Sequence, residues 1–230
     1  MNSIQPTAVI GRALDIYKEQ AGALIGAALI VFAIDAVASL VFDSGALFLL
    51  AGLVGLVAHV FYTGMVVRLV DDVRDGTRDS SVGELFGSVG PVFFPLLGAG
   101  ILVAIGVTIG FILLIIPGLF LLTIWAVVAP AVVLERPGVF AALGRSRELV
   151  KGNGWNVFGV IVLVFLLVFV VSFVAGLIGA AGGDVVMVLV QWAATVLVAP
   201  IAALATAVLY FALRDAKGTL SAPEAPPAAA

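Results

Sequence analysis

The sequence predicts an all-α integral membrane protein, with six transmembrane helices and short amphipathic cytoplasmic helices before spans one, three and five. Three observations carry this expectation. The first is solvent preference: 63% of the 230 residues are hydrophobic and 11% charged, with a mean hydropathy of +1.28. Soluble domains are about half apolar and about a quarter charged, so here apolar side chains must face lipid as well as one another. The second is a set of six long apolar runs, and the third is an alternation of basic residues between the connections that join them.

The chain opens with an amphipathic segment, residues 1–20, that could be mistaken for a secretory leader because Ala36, Val37 and Ala38 follow an apolar run. Asp15 and Glu19 accompany Arg12 and Lys18 before the run, which is too long for a signal core and contains Asp35, so no cleavage is expected. The six-span domain then covers residues 21–217, with spans at about 21–42, 46–70, 91–116, 118–134, 156–181 and 185–213. All but the fourth exceed the roughly twenty residues that cross a hydrocarbon core of about 30 Å. Pro117 and Gly118 divide an apolar stretch too long for one crossing and predict a hairpin between spans three and four. A β-barrel would need segments of about ten alternating residues, which these continuous runs are not. Pro130 and Pro200 fall inside spans four and six and predict kinks there. Gly22/Gly26 and Gly106/Gly110 have the spacing that permits close helix approach. Beyond Lys217, the proline- and alanine-rich tail, residues 218–230, cannot bury enough surface to offset its ordering entropy and is expected to be disordered.

Orientation follows from the cations. Arg12 and Lys18 precede span one; Arg68, Arg74 and Arg78 lie between spans two and three; Arg136, Arg145, Arg147 and Lys151 lie between four and five; Arg214 and Lys217 follow span six. These are all eleven basic residues, and the three alternate connections have none, with only Asp43 and Asp184 charged there. The bias of Lys and Arg toward the cytoplasm therefore puts both termini inside a multi-pass protein of the cell membrane. The segments 7–20, 81–90 and 137–153 each feed an amphipathic stretch into a span, which suggests three copies of a helix-plus-hairpin unit. In the last of them Val139, Phe140, Leu143 and Val150 gather on one helical face, largely opposite Arg145, Glu148 and Lys151.

Function is less legible. The chain has no cysteine, which removes disulfides and thiolate chemistry, and its net charge of −3 argues against a nucleic-acid partner. Gly98/Gly100 and Gly152/Gly154 lack the lysine and strand–helix context of a phosphate loop. No nucleophile–base pairing or metal-ligand spacing occurs, so no enzyme activity, catalytic residue, metal or cofactor is expected.

The stretch Ile116-Pro117-Gly118, Trp125, Pro130 and Val133-Leu134-Glu135, continuing through Ala141 to Asn153 with Trp155 and Val157-Phe158-Gly159, resembles the membrane domain of glycerophosphoryl diester phosphodiesterases. Ile10 to Tyr17 and Tyr210 to Arg214 look like the same family's ends. The resemblance implies a stand-alone relative without the soluble barrel that carries the phosphodiesterase chemistry. That chemistry also needs several histidines and clustered carboxylates around a metal, and His59 is the one histidine here. Phosphodiesterase activity is therefore not expected to accompany the likeness.

Two groups of residues remain as candidates. Asp35, Gln191, Trp125 and His59 are polar or ring nitrogen-bearing residues placed within spans, where such groups face the bundle or a wet cavity. At 1.5 Å per residue, Asp35, Gln191 and Trp125 lie about 10 Å below the outer ends of their spans and His59 about 20 Å, which favours Gln191 or Trp125 over His59 as the partner of Asp35. Arg145, Arg147 and Lys151 sit just inside the membrane, either as topological charges or as contacts for anionic lipid headgroups. The leading expectation is a non-enzymatic membrane scaffold or accessory protein contacting the bilayer and anionic lipids, with a homo-oligomer as the further partner considered. The alternative is a small transporter or channel using the intramembrane polar residues. Topology is directly measurable: reporters fused after Gly45, Pro117 and Gly182 should read as external, those after Asp75, Gly144 and Lys217 as cytoplasmic. An external reading after Gly144 overturns the six-span arrangement.

Overall fold

Six helices are long and apolar enough to cross a membrane, and every regular element among the described residues is helical. The structure, a computed structural model, describes residues 4–41, 47–76 and 82–221. Asp43, Gly45, Arg78, Asp79 and the tail beyond Ser221 lie outside them.

The element order runs through one motif three times. A short helix α1 (Pro6–Glu19) leads into α2 (Ala21–Val41) and α3 (Leu47–Asp75). Then α4 (Val82–Val89) and a 3-10 turn lead into α5 (Phe93–Leu113) and a fourth span made of two pieces, α6 (Ile115–Ile124) and α7 (Val128–Glu135). Finally α8 (Val139–Val150) leads into α9 (Gly154–Ala180) and α10 (Gly183–Ser221). The short helices are amphipathic: α1 buries Val9, Ala13 and Ile16, one turn apart, and leaves Arg12, Asp15, Lys18 and Glu19 exposed. The long ones lack a polar face because lipid replaces water as their outer solvent.

α10 is the central helix, with 72% of its apolar stretch buried against 11% for α9. It packs on α9, α2, α1 and α3. α9 is the most lipid-facing, and its Phe165, Phe169 and Phe173 form an exposed ladder with ring centroids 6.2 and 6.0 Å apart. The core is built from small and β-branched residues around a few large ones. Tyr62, Met65, Leu96, Leu204 and Tyr210 are fully enclosed, and the Tyr62 hydroxyl donates to the Leu24 carbonyl at 3.0 Å to join α3 to α2.

Several expectations are corrected. The turn between spans three and four is at Leu114, whose extended backbone (φ −165°, ψ 154°) separates α5 from α6, rather than at Pro117-Gly118. Pro117 lies in the first turn of α6, where a missing N–H costs nothing. Pro130 does not kink a continuous span: the span is broken over Trp125–Val127, and Pro130 lies in the first turn of α7. Pro200 is inside α10 as expected. That helix also continues past Lys217, where the sequence suggested the tail would begin.

Glycine spacing separates into one pair that packs and one that does not. A Cβ at Gly110 would lie 2.9 Å from the Gly118 Cα, and one at Gly106 would enter the Trp125 ring, so both glycines let α6 close onto α5. Gly22 and Gly26 have nothing within 4 Å of a Cβ position. Gly110→Ala should therefore force the hairpin apart at a cost of about 1–3 kcal/mol, whereas Gly22→Ala should be neutral or slightly stabilising. Thermal unfolding of the two variants in one detergent checks the contrast, and equal midpoints would contradict it.

Candidate functional site

A helix broken inside a membrane exposes backbone donors and acceptors, and each one left unpaired in hydrocarbon costs several kcal/mol. At the break in span four the missing partner is Ser146 of α8. Its fully buried hydroxyl donates to the Ile124 carbonyl at 2.9 Å and accepts from the Val127 N–H at 3.3 Å, bridging the end of α6 to the start of α7. α8 is aimed there by its own pattern: Ala142, Ser146, Leu149 and Val150 form its buried stripe, and Ser146 is the hydroxyl within it.

Beside the break lies a cavity of about 230 Å³ between α3, α5, span four and α10. His59, Thr63, Trp125, Ala126 and Thr206 contribute to its walls, and most of the rest are Ala, Val and Gly. Thr63 and Thr206 return their hydroxyls to the carbonyls one turn back, at 2.9 Å each. Pro130 has no N–H to offer the Ala126 carbonyl.

The α7 end is held by a second network. Arg68 of α3 donates to the Val133 carbonyl at 2.7 Å, capping the negative end of α7, and Arg136 ends that helix in a left-handed conformation (φ 52°). Glu135 accepts from Arg145 Nε at 3.0 and 2.8 Å through its two oxygens and from the Tyr210 hydroxyl at 2.6 Å. One carboxylate thus ties α7 to α8 and α10, and that hydrogen bond holds the Arg145 guanidinium above its usual range. Farther along α10, Arg74 pairs with Asp215 at 2.8 Å, and the Arg74 and Arg214 guanidinium carbons lie 4.6 and 4.9 Å from the Phe211 ring centroid.

The sequence-selected residues are distributed over this frame. His59 and Trp125 meet at the cavity. Asp35 packs on α3, where a Cβ at Gly55 would lie 2.6 Å from its Oδ1, and it is within charge–charge range of His59, one turn from Gly55. Gln191 turns to α9, its amide nitrogen 3.5 Å from the Ser172 carbonyl.

The basic trio also divides. Arg145 is engaged by Glu135, while Arg147 and Lys151 stand exposed on the outer face of α8. Phe140, expected on the apolar packing face, is 79% exposed and belongs to that outer face instead. Sequence reasoning missed Ser146, Glu135, Arg68 and Tyr210 as a connected set. The available signal was the lone hydroxyl in the Ala142–Leu149 stripe.

With this geometry in place, comparison with known proteins gives one informative likeness. A UPF0259 membrane protein from Pectobacterium carotovorum subsp. carotovorum (strain PC1) is 35% identical over 98 residues, which are 43% of this chain and 39% of that protein. The match thus spans well under half the length of this relative. No family model matches the chain. No solved structure matches it either. These findings overturn the resemblance to the phosphodiesterase membrane domain: the matching relative carries a different family name, designated only as a membrane protein. The class the fold and the comparison define is a polytopic helical membrane protein.

The Glu135 hub makes a direct prediction. Glu135→Ala removes the hydrogen bond that Arg145 Nε shares between its two oxygens and the one from Tyr210, and should lower stability by about 1–2 kcal/mol, discounted for its partial exposure. Glu148→Ala, which loses a mostly exposed i,i+3 pair at 3.7 Å, should cost under about 0.5 kcal/mol. Equal losses in thermal melts would remove Glu135 from its role.

Proposed function

We propose that the protein is a non-enzymatic membrane accessory protein that organises its helices and anionic lipid at the cytoplasmic face of the cell membrane, with both termini on that side. The observation that carries this reading is the two-faced construction of α8. Its inner stripe is keyed into the bundle by Ser146 and by the Arg145–Glu135–Tyr210 hydrogen bonds, so its outer stripe of Phe140, Arg147 and Lys151 is held at a constant height. A rigid amphipathic helix with an exposed aromatic residue and two cations is suited to an anionic interface, where each cation contributes about 1 kcal/mol.

The likeness to a protein named simply as a membrane protein is compatible with this reading and adds no activity to it. A second reading, a small transporter or channel, draws on the broken span and the His59 cavity, since broken helices beside cavities supply solute sites in transporters. The cavity walls are mostly apolar, which favours the first reading.

One preparation tests both. In native mass spectrometry, Arg147→Gln/Lys151→Gln should retain fewer anionic lipids than the wild type, with the helical content unchanged. Proteoliposomes of the wild type should show no solute or proton flux above empty vesicles. An unchanged lipid count sinks the accessory reading, and a flux abolished by a change at His59 establishes the second.

A further inference from the structure

An apolar groove of about 580 Å³ lies between α6 and the beginning of α9. Leu119, Phe120 and Ile124 form one wall and Trp155 and Phe158 the other. Its volume falls in the range of small-molecule sites, about 300–1,000 Å³. α6 and α9 meet only sparsely, whereas α9 and α10 pack along their length. In a bilayer such a groove is filled by hydrocarbon.

One end of the groove is chemically different from the rest. Gly152 and Gly154 line it there, and a Cβ at either position would touch nothing within 4 Å, so the end stands open. Gly152 adopts a left-handed backbone (φ +93°) that turns the chain from α8 into α9 directly beside Lys151. The Lys217 ammonium reaches the same corner, donating to the Lys151 carbonyl at 2.8 Å. Arg147 stands one turn before Lys151 on the exposed stripe, and neither forms an ion pair among the described residues. Trp155 is 86% exposed at the start of α9, a position that suits an indole ring at the boundary between headgroups and chains.

We infer that this groove holds an acyl chain of one anionic phospholipid, whose phosphate lies against Arg147, Lys151 and Lys217 at the open glycine end. The inference rests on the accessory reading above and deepens it by naming the lipid's seat. Arg145, the first of the trio suggested by the sequence, is left out because Glu135 holds it away from the mouth, and Lys217 joins the corner through its bond to the Lys151 carbonyl. Hydrocarbon complementarity alone would accept any bilayer lipid, so the cations at the mouth supply the preference for a negative headgroup.

The test uses the full chain in phosphatidylcholine vesicles, with Trp125→Phe/Trp192→Phe leaving Trp155 as the fluorophore. Brominated-chain phosphatidylglycerol should quench Trp155 more strongly, mole for mole, than brominated phosphatidylcholine. Replacing Arg147, Lys151 and Lys217 with Gln should reduce that preference by about fivefold per cation removed. Gly154→Leu, which projects into open space and fills the groove, should reduce quenching by both lipids while leaving the cations in place. If the cation variant loses the preference but Gly154→Leu leaves quenching unchanged, the headgroup site stands and the groove assignment is overturned. If neither variant alters quenching, both readings fail. A doubling of mass in native mass spectrometry that Gly154→Leu reverses would give the groove to a second copy of the chain and overturn the lipid seat.

Discussion

In a hydrocarbon interior no water is present to satisfy a backbone N–H or C=O, so a chain that interrupts a transmembrane helix must bring a replacement partner from elsewhere in the protein. Span four does this at Trp125–Val127, and the replacement is one buried hydroxyl, that of Ser146, acting as donor to Ile124 and acceptor from Val127. Much of the architecture on that side of the bundle depends on this bridge. It draws α8 against the span, which places Arg145 beside Glu135 and leaves Arg147 and Lys151 facing outward. An unbroken span would need no serine there, and α8 would have no polar reason to dock in this register.

The same economy governs the far end of the broken span. α7 is short, and its last turn leaves carbonyls with no helical donor. Arg68 occupies one of them, and Glu135 passes its negative charge to Arg145 and Tyr210. Four helices from different parts of the chain therefore meet at one helix terminus. Tyr210 is buried and Arg68 and Arg145 half-buried, and within the network each has a partner whose geometry also determines helix position.

Lipid completes the structure along α9. α9 presents a stacked phenylalanine ladder and is scarcely covered by protein, so its environment is the bilayer itself. The bundle accordingly has a small-residue core around α10 and an aromatic, lipid-facing surface on the outer face of α9. Arg147, Lys151, Trp155 and Phe158 gather where α8 turns into α9, beside an open apolar groove.

By itself the sequence determined the helical membrane class, the six spans and the short helices ahead of alternate spans, because these depend on composition, run length and periodicity, which are local properties. It also marked His59 and Trp125 as polar or aromatic residues within spans. Tertiary structure decided the rest. Whether Pro130 kinks a helix or begins a new one depends on whether a serine from another helix satisfies the freed groups. Which cation faces outward depends on where a carboxylate from α7 lands. That Asp35 meets α3 at Gly55 depends on how α2 and α3 pack, which no residue count contains. These are long-range pairings, and an amino-acid sequence displays them only after the helices have chosen their neighbours.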